Sequence, residues 1–298
     1  MPRFVFYILL NYFLISQIKF GISQNNDTST TCDCHYDVQI EVVKKVMKDL
    51  EEVRKSTDKI SNIEKQLLAN RASNPSSCME AAANSFQSGI YKIKLEKLNI
   101  TDLEVFCEEY VDFGGWLVIQ RRQSGSVNFT RDWHSYKQGF GELNGNFWIG
   151  LEKLHALTSS CEQELYIQLE KRNGKKFFAK YAEFLIGAES ESYTLKKLGN
   201  YNGNAGDSLS SKLGYKFSTY DRDNDGEDLW NCAEYLEGGW WFNGCDDSNL
   251  NGVYGDNDYG VHWVRLEKDK SLSFAQMMIR PTQNCWRRLM LSNLNRCA

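Results

Sequence analysis

Hydrophobic residues change their spacing twice along the chain, and the changes divide it. Phe4 to Leu10 is an uninterrupted apolar run, broken at Asn11 and resumed from Tyr12 to Ile15. With Arg3 ahead of it, this run is too short for the ~30 Å of a bilayer core and suits the apolar region of an export signal. The expected signal covers residues 1–23, with cleavage near Gly21 to Ser23. Further on, Val43, Val46, Leu50, Val53, Thr57, Ile60 and Leu67 recur at alternating steps of three and four, interrupted by Glu64. That rhythm is the a/d seam of a heptad repeat, and Lys44, Lys45, Glu51, Glu52 and Lys59 fall on the outer faces. A coiled coil is therefore expected over residues 37–69, after a polar tail at 24–36.

The third pattern is short-range. After a linker at 70–77, holding Pro75 with several Ser and Asn, the chain becomes rich in Gly, Trp and Tyr. Trp116 to Gln120, Leu165 to Leu169 and Lys176 to Tyr181 read as strands; Trp133 to Phe140 and Leu151 to Leu157 read as short helices. Residues 200–258 are too dense in Gly, Asn and Asp for much regular structure and must be held by other means, with disulfide and metal the candidates. The expected class is α+β, with one domain at 78–284 and a polar, basic tail at 285–298.

Charge and cysteines narrow the classes. The net charge of −4 argues against a nucleic-acid binder. Nine cysteines behind an export signal read as disulfides; no CxxC pair occurs, and the odd number leaves one thiol free or bridging between chains. Cys32 and Cys34, just ahead of the seam, are candidates for interchain bridges. They would help a coil of roughly three to four heptads, marginal alone, by raising the effective concentration of its partner strand. Sequons at Asn26, Asn99 and Asn128 fit an exported glycoprotein. The chain shows no HExxH and no GxSxG, and His35, His134, His155 and His262 stand in unrelated contexts. With no activated nucleophile in view, an enzyme is not expected.

The densest chemistry is Asp221-Arg222-Asp223-Asn224-Asp225-Gly226, three carboxylates at alternating positions. Hard oxygen ligands at this density suit calcium. An EF-hand fails: its twelfth loop position is Cys232 instead of Glu, and Tyr215 to Tyr220 reads as a strand instead of a helix. The loop is then a calcium site of another kind or a solvated acidic turn. Cys232 and Cys245 bracket Gly238-Gly239-Trp240-Trp241. A bridge between them would close about fourteen residues and restrict the unfolded chain by ~3 kcal/mol. Core packing is the expected role of at least one of the two tryptophans.

Several blocks now fall together: Phe113-Gly114-Gly115-Trp116-Leu117-Val118-Ile119-Gln120-Arg121-Arg122, Asn146-Phe147-Trp148-Ile149-Gly150-Leu151, Phe217-Ser218-Thr219-Tyr220 with the acidic loop, Asn231-Cys232-Ala233, Gly239-Trp240-Trp241-Phe242 and Ser248-Asn249-Leu250-Asn251-Gly252. In order and spacing they resemble the fibrinogen C-terminal globular domain, over about Cys78 to Pro281. The whole chain resembles a ficolin-like or insect-type fibrinogen-related protein. The resemblance implies bridges Cys78–Cys107 and Cys232–Cys245. It implies calcium held by the side chains of Asp223 and Asp225 and by two backbone carbonyls. The segment between Asp225 and Cys232 is one residue longer than usual, and counting back from Cys232 assigns those carbonyls to Asp228 and Trp230. It also implies a cis peptide at Gly244–Cys245, and a ligand pocket beside the metal at Asp246, Asn257, Asp258 and Tyr259. Asp246 stands where acetyl-binding relatives carry His, and Asn257, Lys270 and Leu272 stand where they carry aromatics. Asp258 matches an acid of fibrinogen's peptide pocket, whose second acid is replaced by Leu236. The expected function is a secreted, calcium-dependent oligomeric recognition protein for surface glycans or acetylated groups. The alternative is an extracellular signalling or matrix ligand that binds a cell-surface protein. Cys161 and Cys285 remain within the domain as a further candidate pair.

Overall fold

The computed structural model describes residues 33–73, 75–245, 247–255, 260–266 and 271–287. The export segment, Asn26, Cys32, Cys297 and the polar tail beyond residue 287 lie outside them. Helix α1 runs Asp33–Ser73. It carries an uncovered apolar stripe: Val43, Val46, Leu50, Val53 and Ile60 are each at least half exposed. The expected linker at 70–77 is corrected at both ends. Its first four residues are helical, because nothing before Pro75 stops the helix, whereas Pro disfavours helical backbone in the residue ahead of it. Its far end belongs to the globe: Lys94 donates from its backbone N–H to the Pro75 carbonyl at 2.7 Å, and Ser77 is buried.

The globe opens with α2 (Cys78–Ala81) and the strands β1 (Gly89–Leu95), β2 (Ile100–Glu108) and β3 (Trp116–Arg122). Then come α3 (Trp133–Gln138), the short strands β4 (Phe140–Gly141) and β5 (Phe147–Trp148), and α4 (Leu151–Ser160). Strands β6 (Gln163–Glu170), β7 (Lys176–Ile186), β8 (Leu195–Lys197) and β9 (Tyr201–Gly203) complete the regular half. Among the described residues, the remainder holds a 3-10 turn at Ser210–Lys212, α5 (Cys232–Tyr235), β10 (Ser248–Asn249), β11 (His262–Trp263) and β12 (Phe274–Pro281). The main sheet orders as β1-β2-β3-β12-β6-β7-β8, so β12 closes the sheet between β3 and β6, antiparallel to both. Every residue of β3 is buried, unlike the alternating β6 beside it. The irregular half covers the end of β3, where Gln120 and Arg122 bond the Leu250 and Gly252 carbonyls.

Two further expectations are corrected. Tyr215 to Tyr220 forms no strand; only isolated bridges, Ser218 to Trp240 and Thr219 to Arg222, occur there. Its backbone bonds the 192–195 segment instead, with Phe217 N–H donating to the Ser192 carbonyl and Leu195 N–H to that of Tyr215. The domain also does not end at residue 284, because Cys285 is disulfide-bonded to Cys161 at the end of α4. Cys78 is bridged to Cys107, and Cys232 to Cys245, with Cα separations of 5.4 and 5.2 Å.

Candidate functional site

The acidic loop is built from three aspartates that do different things. Asp221 turns inward: its Oδ1 accepts from the Trp133 backbone N–H at 2.9 Å and from the Thr219 hydroxyl at 2.7 Å. Trp133 is the first residue of α3, so Asp221 satisfies an N–H that the helix leaves without an internal partner. The Arg222 guanidinium lies 4.1 Å over the Trp133 ring, and the Trp133 indole N–H donates to Glu189 at 3.0 Å. Asp221 and Arg222 thus attach the loop to α3.

Asp225 faces the other way. Its Oδ1 accepts from Glu227 N–H and its Oδ2 from Cys232 N–H, each at 2.8 Å. Asp223 is exposed, and its Oδ1 accepts from Asp225 N–H at 3.3 Å. Burial pushes the Asp225 carboxyl up from the ordinary range, the two N–H groups draw it down, and the neighbouring Asp223 charge raises it again, for a net rise. The pair is a local excess of negative charge that a hard dication would relieve. Among the described residues, no hydrogen bond is made to the carbonyls of Asp228 or Trp230, so both oxygens remain available as donors. No group of three or more His, Cys, Asp or Glu is gathered among the described residues. Two carboxylates with backbone oxygens are a donor mixture that calcium accepts and zinc does not favour.

Asn231 holds the next turn. Its side-chain amide donates to the Thr219 and Tyr220 carbonyls at 3.0 and 3.2 Å, and its Oδ1 caps α5 through Ala233 and Glu234 N–H. Tyr220, Leu229, Trp230 and Tyr235, all largely exposed, surround this residue in the chain and in its bonds. Behind them, Gly238 and Gly239 let the backbone run against the core. A Cβ on Gly238 would stand 2.4 Å from the Asn251 carbonyl, and one on Gly239 would stand 2.8 Å from the rings of Phe217 and Tyr136. Trp240 and Trp241 are both fully buried, so core packing is the role of each. The implied cis peptide at Gly244–Cys245 is a correction: the described bonds are all trans, and the turn is made with Gly244 at φ 63°, a left-handed conformation open to glycine.

Of the implied pocket, Asp246, Asn257, Asp258 and Tyr259 lie outside the described residues, as does Lys270. Leu236 and Leu272 are buried. Cys34 falls within α1. Asn99 and Asn128 are exposed, and Asn128 closes a small turn by accepting from Thr130 N–H at 2.8 Å. What the sequence reading missed is the pair Gln120 and Arg122 at the end of β3. Gln120 donates to the Leu250 carbonyl at 2.8 Å. Arg122 donates to the carbonyls of Leu250 and Gly252 at 3.2 and 2.6 Å and lies 3.9 Å over the Phe129 ring. Asn251 then reaches Gly239 through a 2.9 Å bond. The only signal in the sequence was a strand ending in three polar residues beside a core.

The comparisons bear on this geometry. The family model described as "Fibrinogen beta and gamma chains, C-terminal globular domain" matches residues 74–282. Human angiopoietin-related protein 2 is 45% identical over 216 residues, covering 70% of this chain and 43% of that protein. The chain thus spans less than half the length of that relative. The solved fibrinogen-like globe domain of human ANGPTL2 superposes with a TM-score of 0.66 at 45% identity, covering 69% of this chain and 98% of that one. A lamprey fibrin D-dimer, solved with the peptide ligand Gly-His-Arg-Pro-amide, gives a TM-score of 0.65 at 30% identity and covers 94% of both chains.

Proposed function

The chain belongs to the fibrinogen C-terminal globular domain family, and from that premise we propose that it is a secreted, calcium-dependent recognition protein, not an enzyme. Three disulfides within one globe fit a protein folded on the secretory route and kept outside the cell. No helix among the described residues is long and apolar enough to cross a membrane. The observation that carries the reading is the division of labour in the acidic loop. Asp221 is spent on α3, while Asp223 and Asp225 face each other, and the carbonyls of Asp228 and Trp230 further along the same loop accept no hydrogen bond among the described residues. Calcium bound there would supply charge neutralisation and fix the loop. The chain's own residues do the rest: Asn231 and the Cys232–Cys245 bridge hold the neighbouring turn, which presents the ligand surface. The exposed stripe of α1 supports self-association as a dimer or trimer, multiplying a weak site by avidity.

For the ligand, surface glycans and a cell-surface protein are the two readings. The exposed Tyr220, Leu229 and Trp230 favour a protein, since aromatic anchors dominate protein interfaces. The peptide held by the lamprey fibrin relative points the same way. Full-length oligomer is passed over acetylated-sugar resin and titrated onto cells, with and without EDTA. Retention released by EDTA supports the glycan reading. No retention, with saturable EDTA-sensitive cell binding, supports the protein reading. Binding to either that ignores EDTA overturns the calcium dependence.

A further inference from the structure

The turn between β6 and β7 reads Lys171-Arg172-Asn173-Gly174-Lys175-Lys176, placing four cations in six residues of a chain whose net charge is −4. The turn is fixed. Gly174 N–H donates to the Lys171 carbonyl at 2.8 Å, Lys171 N–H to the Lys175 carbonyl at 3.0 Å, and Lys175 N–H to the Asn173 side chain at 3.0 Å, with Gly174 at φ 81°. Arg172, Lys175 and Lys176 are exposed, and the Lys176 ammonium makes only a loose 3.8 Å approach to Glu170. The Lys171 ammonium donates to the Leu266 carbonyl at 3.2 Å, so the backbone next to the exposed Arg265 lies against the turn. Lys171 and Lys175 both lie against the Phe177 ring, at 5.5 and 5.1 Å, which favours their charged forms at the tip. A rigid tip that concentrates positive charge on an acidic protein is an anion-binding surface.

We infer that this tip, Arg172, Lys175 and Lys176 with Arg265, binds a sulfated polysaccharide. The cations are spread over exposed positions of one turn and its neighbour, which a chain of repeating sulfates can span and a single small anion cannot. The two arginines supply planar forks suited to paired oxygens. The Phe177 ring at the tip is taken up by the Lys171 and Lys175 ammonium groups and is not offered to a bilayer. Strongly anionic lipids also face the cytoplasm, away from a secreted protein. The site lies on a different element from the acidic loop and does not depend on calcium.

The test uses the full-length chain on immobilised heparin, with chemically desulfated heparin, single-stranded DNA and phosphatidylserine vesicles as competitors. The variant is Arg172→Gln with Lys175→Gln and Lys176→Gln. The control removes three exposed lysines of α1: Lys44→Gln, Lys45→Gln and Lys48→Gln. The tip variant is expected to weaken heparin binding about tenfold or more at physiological salt and to flatten its salt dependence. The control should stay within about twofold, and desulfated heparin should not compete. If the triple variant melts below the wild type, Arg172→Gln alone is read, with about threefold loss expected. Equal binding by tip variant and wild type, no heparin binding by the wild type, or tighter binding to DNA or vesicles overturns the inference.

Discussion

Arg122→Met tests whether the irregular half is held to the sheet by the polar end of β3. Met keeps most of the buried stem and removes the guanidinium. Lost are bonds to the Leu250 and Gly252 carbonyls at 3.2 and 2.6 Å, each worth about 1.5–3 kcal/mol when charge-assisted, and a ring contact worth up to about 2 kcal/mol. Opposing this is the cost of burying the charge. Burial lowers the Arg122 pKa from the ordinary guanidinium range to about 10, which corresponds to roughly 3 kcal/mol. Leu250 also keeps its 2.8 Å bond from Gln120, which softens the loss. The balance is a destabilisation of roughly 2–4 kcal/mol, or a melting point lower by roughly 5–10 °C for a globe of this size. Calorimetry under non-reducing conditions reads the melting point, and amide exchange reads where the loosening falls. Exchange should rise at residues 249–252 before it rises in β6 or β7. A Met variant that melts at or above the wild type would show that relief of desolvation outweighs the bonds, as in some buried ion pairs, and would refute the reasoning.

Three further outcomes are expected. Asp223→Asn and Asp225→Asn should each abolish measurable calcium binding by titration calorimetry. Asp221→Asn, which keeps an oxygen toward Trp133, should retain it; equal loss in all three would put Asp221 among the ligands. Gly239→Ala, whose methyl would press on Phe217 and Tyr136 at 2.8 Å, should cost about 1–3 kcal/mol in denaturant unfolding. Burial pushes the Asp207 carboxyl up, but bonds from Ser210, the Tyr181 hydroxyl and Leu209 N–H together hold it below the ordinary range. A carboxyl depressed on folding adds stability above its unfolded pKa of about 4 and loses it as pH falls through the folded value. Asp207→Asn should therefore flatten the acid limb of the stability curve.

The regular half was legible because its order is local. The 3-4 spacing of Val43 to Ile60 carries α1, and alternation carries β6 and β7. The irregular half was legible only as a resemblance, because its order is made by bonds between segments far apart in the chain. Asp221 reads as one of three carboxylates until the Trp133 N–H, 88 positions earlier, is placed against it. Gln120 and Arg122 read as the polar edge of a strand until backbone carbonyls some 130 positions later cover them. Tyr215 to Tyr220 has the composition of a strand, but its pairing stops at isolated bridges from Ser218 and Thr219.

That arrangement has a consequence for recognition. Nearly every polar residue of the loop half with a named partner is bound inward, to α3, to β3 or to a neighbouring turn. Changing one of them alters the frame, so a loss of binding in such a variant reports the scaffold before it reports the ligand. Leu229 and Trp230 stand apart: they are 77% and 61% exposed, sit between the Asp225 and Asn231 anchors, and contribute no side-chain hydrogen bond among the described residues. Side chains in that position can change without unfolding what holds them. Leu229→Ser and Trp230→Ser are therefore the substitutions that separate contact from frame. They should leave the melting point within about 1 °C, as surface changes away from anchors do, while lowering cell binding if a protein partner docks there. A melting point that falls with the binding would mean that these side chains belong to the frame after all.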